Sequence, residues 1–334
     1  RRHTTKYLLF SLRIFEMNEL LELTTTRNNP HVDPSMAMWE WQIPVYLFLG
    51  GMVAGMMIIA GYFLFSGRHK ESNCSCFFIP IVSVVLLSLG MFALFLDLAH
   101  KLYVWRLYTT FQFTSPMSWG AWILILVYPA LIANILIKPA KWMTDRISKL
   151  NEYSKKINDH PFLVKNIGIA NMILGMMLGA YTGVLLSTMG SRPLWNTSLL
   201  WVLFLVSGLS AAAAFVHLFA KNKYESELLA KADNGFLIIE LFVFVMIFLG
   251  LLSSARPHIE AAHLLLSGAY APVFWVFVIG IGIIVPLIIQ LLAVNHKVSH
   301  TAIAPILVIV GGLILRFVIV SAGQYSHWFN AHLH

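Results

Sequence analysis

From Asn166 to Ser191 the chain carries no charged side chain. A bilayer core about 30 Å thick is crossed by roughly 20 residues of α-helix, so this run is long enough for one span. Backbone groups in lipid must be satisfied internally, and a helix does so within a single segment. Gly175, Gly179 and Gly183 recur every fourth residue in it, which places them on one stripe. Such stripes let a neighbouring helix approach closely. Tyr181, Thr182 and Ser187 are set into this surface. Two readings are open for them. Tyr181 can anchor at the membrane interface while the hydroxyls bond their own helix. Alternatively, the three can face a partly polar ligand that arrives through lipid.

Seven further apolar runs accompany this one, at about 43–65, 77–98, 121–137, 198–219, 235–252, 272–294 and 302–322. Charged residues make up 11% of the chain and hydrophobic ones 58%, whereas soluble domains carry about 25% charged residues. The expected fold class is an all-α integral membrane protein with eight transmembrane helices. The membrane domain covers 39–325. A polar lead occupies 1–38, of which 1–16 reads as an upstream extension, with Met17 as a natural start. The net charge of +8 then reports topology rather than a nucleic-acid partner. Cys74 and Cys76, the two cysteines, cannot complete a zinc or cluster site within this chain. They read as loop thiols in a reducing compartment.

Eight spans put both termini on one side. The loops after spans one, three, five and seven hold thirteen Lys and Arg, against four in the loops after spans two, four and six. The stretch 138–165 alone supplies seven. The positive-inside rule makes these odd-numbered loops cytoplasmic and the termini periplasmic.

This topology converts sequence position into depth. Glu40 and Gln42 head span one, and Asp97 ends span two, all on the outer side. Tyr181, Ser187 and Arg316 fall toward the same side. Charges inside spans are costly and are commonly paired or functional. The outer ring of Glu40, Gln42, Asp97, Tyr181 and Arg316 is therefore the candidate ligand site. An architectural Asp97–Arg316 salt bridge is the competing reading. On the cytoplasmic side, His217 and Glu240 are candidates for a proton path, with snorkelling and a loop lysine partner as the plainer account.

Of thirteen histidines, His217 is the one clearly within an apolar span. Two-haem cytochrome b chemistry lacks its axial ligands. No phosphate-binding, dinucleotide-binding or zinc-protease motif occurs. No metal ligand set is expected, so any electrons must pass between an organic carrier and a partner protein.

Five blocks in order then resemble the NrfD/PsrC family: Trp41 to Gly55, Asp97-Leu98 with Ser115 to Gly120, Gly179 to Ser187 with Arg192 to Trp195, Ser207 to Ser210, and Gly311 to Arg316 with Ala322 to Gln324. The resemblance implies two four-helix bundles, here 39–188 and 198–325, and a quinone-reactive anchor without haem. It also implies a ferredoxin-like subunit carrying iron–sulfur clusters and a periplasmic molybdopterin catalytic subunit, in a bacterial inner membrane. Menaquinol would be oxidised near the outer face. Tyr181 would bond a quinone oxygen, Asp97 or Glu40 would accept a proton, and Gln42, Ser187 and Arg316 would line the site. The aromatic segment 100–119 would dock the cluster subunit. Two rival classes are a secondary transporter or proton channel built on Glu240, His217 and Arg316, and a passive anchor.

Overall fold

A computed structural model describes residues 39–68, 78–98, 100–220, 223–294 and 302–326. The polar lead and the Cys74–Cys76 loop lie outside the described residues. Among the described residues, eight helices are long and apolar enough to cross a membrane. We label them α1 (Gln42–Phe65), α2 (Ile79–Asp97), α3 (Pro116–Ile137) and α4 (Pro161–Ser187). They continue as α5 (Leu200–Phe219), α6 (Lys223–Leu252), α7 (Val273–Ile284, then Val285–Val294) and α8 (Ile303–Tyr325). Proline stands in the first turn of α2, α3 and α4, where its missing N–H costs nothing and its fixed φ favours the helix.

The first stretch of α7 is wound wide, as a π-helix over Val273–Ile284. Pro286 follows it. Proline offers no N–H to the carbonyl four residues back and its ring crowds that carbonyl. Wider winding up to Ile284 is one way the chain accommodates this.

α1 is the hub. It packs against α2, α4, α5 and α8. Glycine makes this possible on two sides. A methyl group on Gly55 would lie 2.7 Å from the Gly208 carbonyl oxygen and 2.6 Å from Ala212 Cβ, both on α5. On α4, a methyl on Gly175 would meet the Ala54 carbonyl oxygen of α1 at 2.7 Å. Gly179 sits where α4 passes Ala54 and Leu205, and Gly183 lies against the Trp201 backbone of α5. The every-fourth-residue stripe thus hands α4 from α1 to α5.

Two boundaries differ from expectation. α6 begins at Lys223 rather than near 235. The mixed charges of 220–234 suggest a loop, yet Glu225, Asp233 and Asn234 are buried. Their stripe faces protein, which removes the lipid penalty that a hydropathy argument assumes. α3 begins at Pro116 rather than near 121. The basic stretch after α3 folds into short helices at Lys141–Arg146 and Ser148–Asn158. Ser154 Oγ and Asn158 Nδ2 donate to the Ile137 carbonyl at 3.0 and 2.8 Å, satisfying the open end of α3. We call the end of the molecule that carries these helices the basic face.

Gly55→Leu is expected to lower stability by about 1–3 kcal/mol or more through overpacking. Gly50→Ala, where an added methyl meets nothing within 4 Å, is expected to be neutral. Thermal unfolding of the detergent-purified protein checks both.

Candidate functional site at the face opposite the basic helices

The start of α1, the end of α2, the start of α3 and the end of α4 meet at the face opposite the basic one. Gln42 and Tyr46 are one turn apart on α1 and share a side of it. The Tyr46 hydroxyl hydrogen-bonds the Tyr181 hydroxyl of α4. Both tyrosines are buried. Gly120 of α3 leaves room for the Tyr181 ring, since a methyl there would overlap it. On α2, Gly90 faces Tyr46 and Leu49. Asp97 lies seven residues further on, on the same stripe. Glu40 is close enough to Asp97 for the two carboxylates to interact electrostatically. The Gln42 Oε1 atom is buried and has no hydrogen-bond partner. Past the end of α2, Leu98 and His100–Tyr103 line an open surface crevice of about 290 Å³, which none of these site residues lines.

Glu40, Gln42, Asp97 and Tyr181 are therefore brought to one end of the molecule, joined by Tyr46. Sequence reasoning misses Tyr46. The signal is present, because it follows Gln42 by one helical turn.

Two candidates go elsewhere. Ser187 Oγ donates to the Val184 carbonyl at 2.8 Å. It sits six residues past Tyr181, a rotation of roughly 120° away from it. Thr182 likewise bonds Gly179 at 3.0 Å. For these two hydroxyls, bonding to the helix's own backbone describes the structure. Arg316 does not meet Asp97. It is buried, with Nη1 on Ser207 Oγ and Nη2 on the Phe204 carbonyl, both at 3.0 Å. Its guanidinium lies 4.4 Å over the Phe204 ring, and its charge interacts with that of Glu240. Counting along α8 gives its depth, but rotation about the helix turns it inward, toward α5 and α6.

Glu240 is also deeper than expected. With α6 starting at Lys223, it lies near the middle of the span rather than one turn from its end. His217 stays in the last turn of α5, about three turns nearer the basic face than Ser207.

A latch fixes the entry of α1. Gln324 of α8 donates from Nε2 to the Trp39 carbonyl at 2.9 Å, and its Oε1 accepts from the Trp39 N–H at 3.1 Å. The Trp39 ring stacks on Trp195, with centroids 5.4 Å apart. Trp195 Nε1 donates to the Ile319 carbonyl at 2.9 Å, and its indole occupies the space that Gly323 leaves open. Arg192 donates to the Ser326 carbonyl at 3.1 Å. The block Arg192 to Trp195 and the block Gly323-Gln324 thus act as one unit at the opening of the site.

Among the described residues, no three His, Cys, Asp or Glu side chains gather as a metal-binding group. Fold and site together define a multi-pass helical membrane protein with a polar cluster at one end of its helices. Residues 29–326 match the family model described as Polysulphide reductase, NrfD, and the chain belongs to that family. It is 33% identical over 310 residues to the protein NrfD homolog of Haemophilus influenzae, covering 86% of this chain and 95% of that one. It is 29% identical over 301 residues to the C subunit of the polysulfide reductase of Wolinella succinogenes, covering 86% and 94%. Protein NrfD of Escherichia coli is 29% identical over 312 residues, with 86% and 96% covered.

Gln324→Leu removes both bonds to Trp39. Each is worth about 0.5–1.5 kcal/mol, so a lower unfolding temperature and faster amide exchange at 39–42 are expected. Hydrogen–deuterium exchange measured by mass spectrometry checks the second.

Proposed function

We propose that this chain is the membrane subunit of a bacterial respiratory oxidoreductase. It oxidises menaquinol, or in reverse reduces the quinone, and exchanges electrons with an iron–sulfur partner. The observation that carries this reading is the convergence of Glu40, Gln42, Tyr46, Asp97 and Tyr181 at one end of an apolar bundle. A quinol is an apolar carrier with two hydroxyl groups, and such a site suits it. The orphaned Gln42 Oε1 is an acceptor for one hydroxyl. The Tyr46–Tyr181 pair supplies a donor for an oxygen of the head group.

Oxidation of a quinol releases electrons and protons together. Asp97 and Glu40 are the proton acceptors, a general-base role that requires hydrogen-bond reach. The carboxylates are less buried than the tyrosines, Glu40 being exposed, so released protons can leave to water. A ligand reaches Tyr181 by parting its hydroxyl from Tyr46. The face opposite the basic helices is periplasmic in this reading, and the membrane is the inner membrane.

The segment between α2 and α3 exposes Leu102, Tyr103, Trp105, Phe111 and Phe113. Arg106 lies 4.9 Å over the Tyr103 ring among them. This surface docks a ferredoxin-like iron–sulfur subunit, which passes electrons to a molybdopterin catalytic subunit. The relative from Wolinella succinogenes is named as one component of a polysulfide reductase, which supports membership of a multi-subunit complex.

Tyr181→Phe keeps the ring that fills the space at Gly120 and removes the hydroxyl. Quinol-dependent turnover is expected to fall on the order of tenfold to a hundredfold while the complex assembles normally. Asp97→Asn is expected to act in the same direction. Steady-state assays with a quinol analogue, alongside copurification of the partner subunits, check this. Native turnover in both variants would remove these residues from the reaction.

A further inference from the structure

The basic face, at the end of the molecule away from the quinol site, carries a surface that site does not use. The stretch 138–165 between α3 and α4 holds seven Lys and Arg against three Asp and Glu. A charge run is ordinarily a solvated face. Here it is interleaved with large apolar side chains that stand out of the protein. Trp142, Ile147 and Tyr153 are more than half exposed, and Phe162 is 77% exposed. Apolar groups clustered on a surface in this way mark contact with a membrane or a partner.

One pattern repeats on three elements. On the helix Lys141–Arg146, Trp142 and Arg146 are four residues apart and share a side. On Ser148–Asn158, Lys149, Tyr153 and Lys156 follow at spacings of four and three, again on one side. At the start of α4, Phe162 and Lys165 are three apart. In each set an exposed cation stands beside an exposed aromatic ring. Local structure fixes which side faces out. Ser154 and Asn158 bond the Ile137 carbonyl, and Ile157 packs on the core beside them. That side of the helix is turned inward, against α3 and α4, which leaves Lys149, Tyr153 and Lys156 outward. The same bonds hold the helix at the level where α3 ends and α4 begins. Lys156 pairs with Glu152 at 2.9 Å, but both side chains are exposed, and such a pair is worth too little to keep the lysine from another anion.

Lys165 carries the argument furthest. Phe162, Lys165, Ile169, Ile173 and Met176 are all exposed and follow at spacings of three, four, four and three, so they form one stripe of α4. Beyond Lys165 the stripe is apolar and suits acyl chains. An ammonium group one turn inside an exposed phenylalanine is costly in hydrocarbon. Its long stem lets it reach back to the headgroup layer, where phosphates lie. Aromatic rings favour the same layer, because one part of each is apolar and another tolerates water.

We propose that this surface binds an anionic phospholipid of the leaflet at the basic face. Lys165 and the Lys149–Lys156 stripe hold the phosphate, Phe162 meets the top of the chains, and the chains run along Ile169, Ile173 and Met176. Charge complementarity selects the occupant, since a net-negative headgroup answers the excess of cations and a zwitterionic one does not. A soluble phosphate would satisfy the lysines but leave the aromatic rings and the adjoining apolar stripe uncovered. A lipid satisfies both. Binding makes and breaks no covalent bond, and it stands apart from the quinol reading.

The test uses this chain with the subunits that accompany it, purified in neutral detergent and stripped of lipid. Phosphatidylglycerol and phosphatidylcholine with the same chains are titrated in, and native mass spectrometry reads the lipid bound. Phosphatidylglycerol is expected to bind on the order of tenfold or more tighter. Lys165→Gln is expected to weaken it on the order of fivefold, and Lys149→Gln with Lys156→Gln by at least as much. All three side chains are exposed, so the variants fold. Arg256→Gln, on the helix Arg256–Leu266 outside this surface, is expected to leave the preference unchanged. Equal affinity for the two lipids would overturn the proposal. So would a preference that survives both sets of lysine variants, or one that Arg256→Gln reduces as much. Displacement of phosphatidylglycerol by inorganic phosphate, beyond that by chloride at equal ionic strength, would assign the lysines to a soluble anion instead. Slow amide exchange over 141–165 in the lipid-free complex, lost when the accompanying subunits are removed, would assign the surface to a protein. Either result overturns the lipid.

Discussion

The structure depends on how closely α1 lets its neighbours approach. Gly55 meets Gly208 and Ala212 on one side, while Ala54 meets Gly175 of α4 on the other. In lipid, the apolar effect does not distinguish a neighbouring helix from an acyl chain. Backbone-to-backbone packing and a few polar contacts decide which helices associate. With α1 locked between α4 and α5, its polar head is carried to a fixed place. Tyr46, one turn past Gln42, then stands against Tyr181, and Glu40 lies within electrostatic reach of Asp97.

The latch completes this placement. Trp39 is held by both atoms of the Gln324 amide and stacked on Trp195. The amide occupies the backbone groups of a residue just ahead of the helix, where turn geometry leaves donors and acceptors open. The blocks at 192–195 and 323–324 thereby act on one residue, Trp39, which is as far as 285 positions away in sequence. They explain why a loop tryptophan and a glycine–glutamine pair belong with a site that neither touches.

Two polar systems coexist in this apolar bundle, and they differ in kind. The cluster at the face opposite the basic one is partly open, with an exposed Glu40 and an only half-buried Asp97. The set around Glu240 and Asp233 is sealed, and most of its polar atoms are satisfied by serine, glutamine and arginine. A buried charge without such partners would be strongly destabilising. Arg316 belongs to the sealed set. Its guanidinium spans Ser207 and Phe204 of α5 and faces Glu240 of α6, tying these helices to α8.

Much of this is legible from residues alone. Charge-free runs of about 20 residues fix the helices, because lipid leaves the backbone few other ways to satisfy itself. Counting along those helices also gives depth, which groups Glu40, Gln42, Asp97 and Tyr181 at one level. Rotation is not legible in the same way. A residue's side of its helix follows from periodicity, but which neighbour covers that side depends on packing between distant segments. That is why Arg316 turns from Asp97 to Glu240, why Ser187 turns onto its own backbone, and why Tyr46 does not stand out. It is also why α6 is longer than hydropathy suggests, since a charged stripe looks like a loop until another helix is known to cover it. Sequence determined the helices and their depth, because both are local consequences of solvation. The partners of each polar side chain were decided by tertiary structure, because they depend on which helices can come within contact.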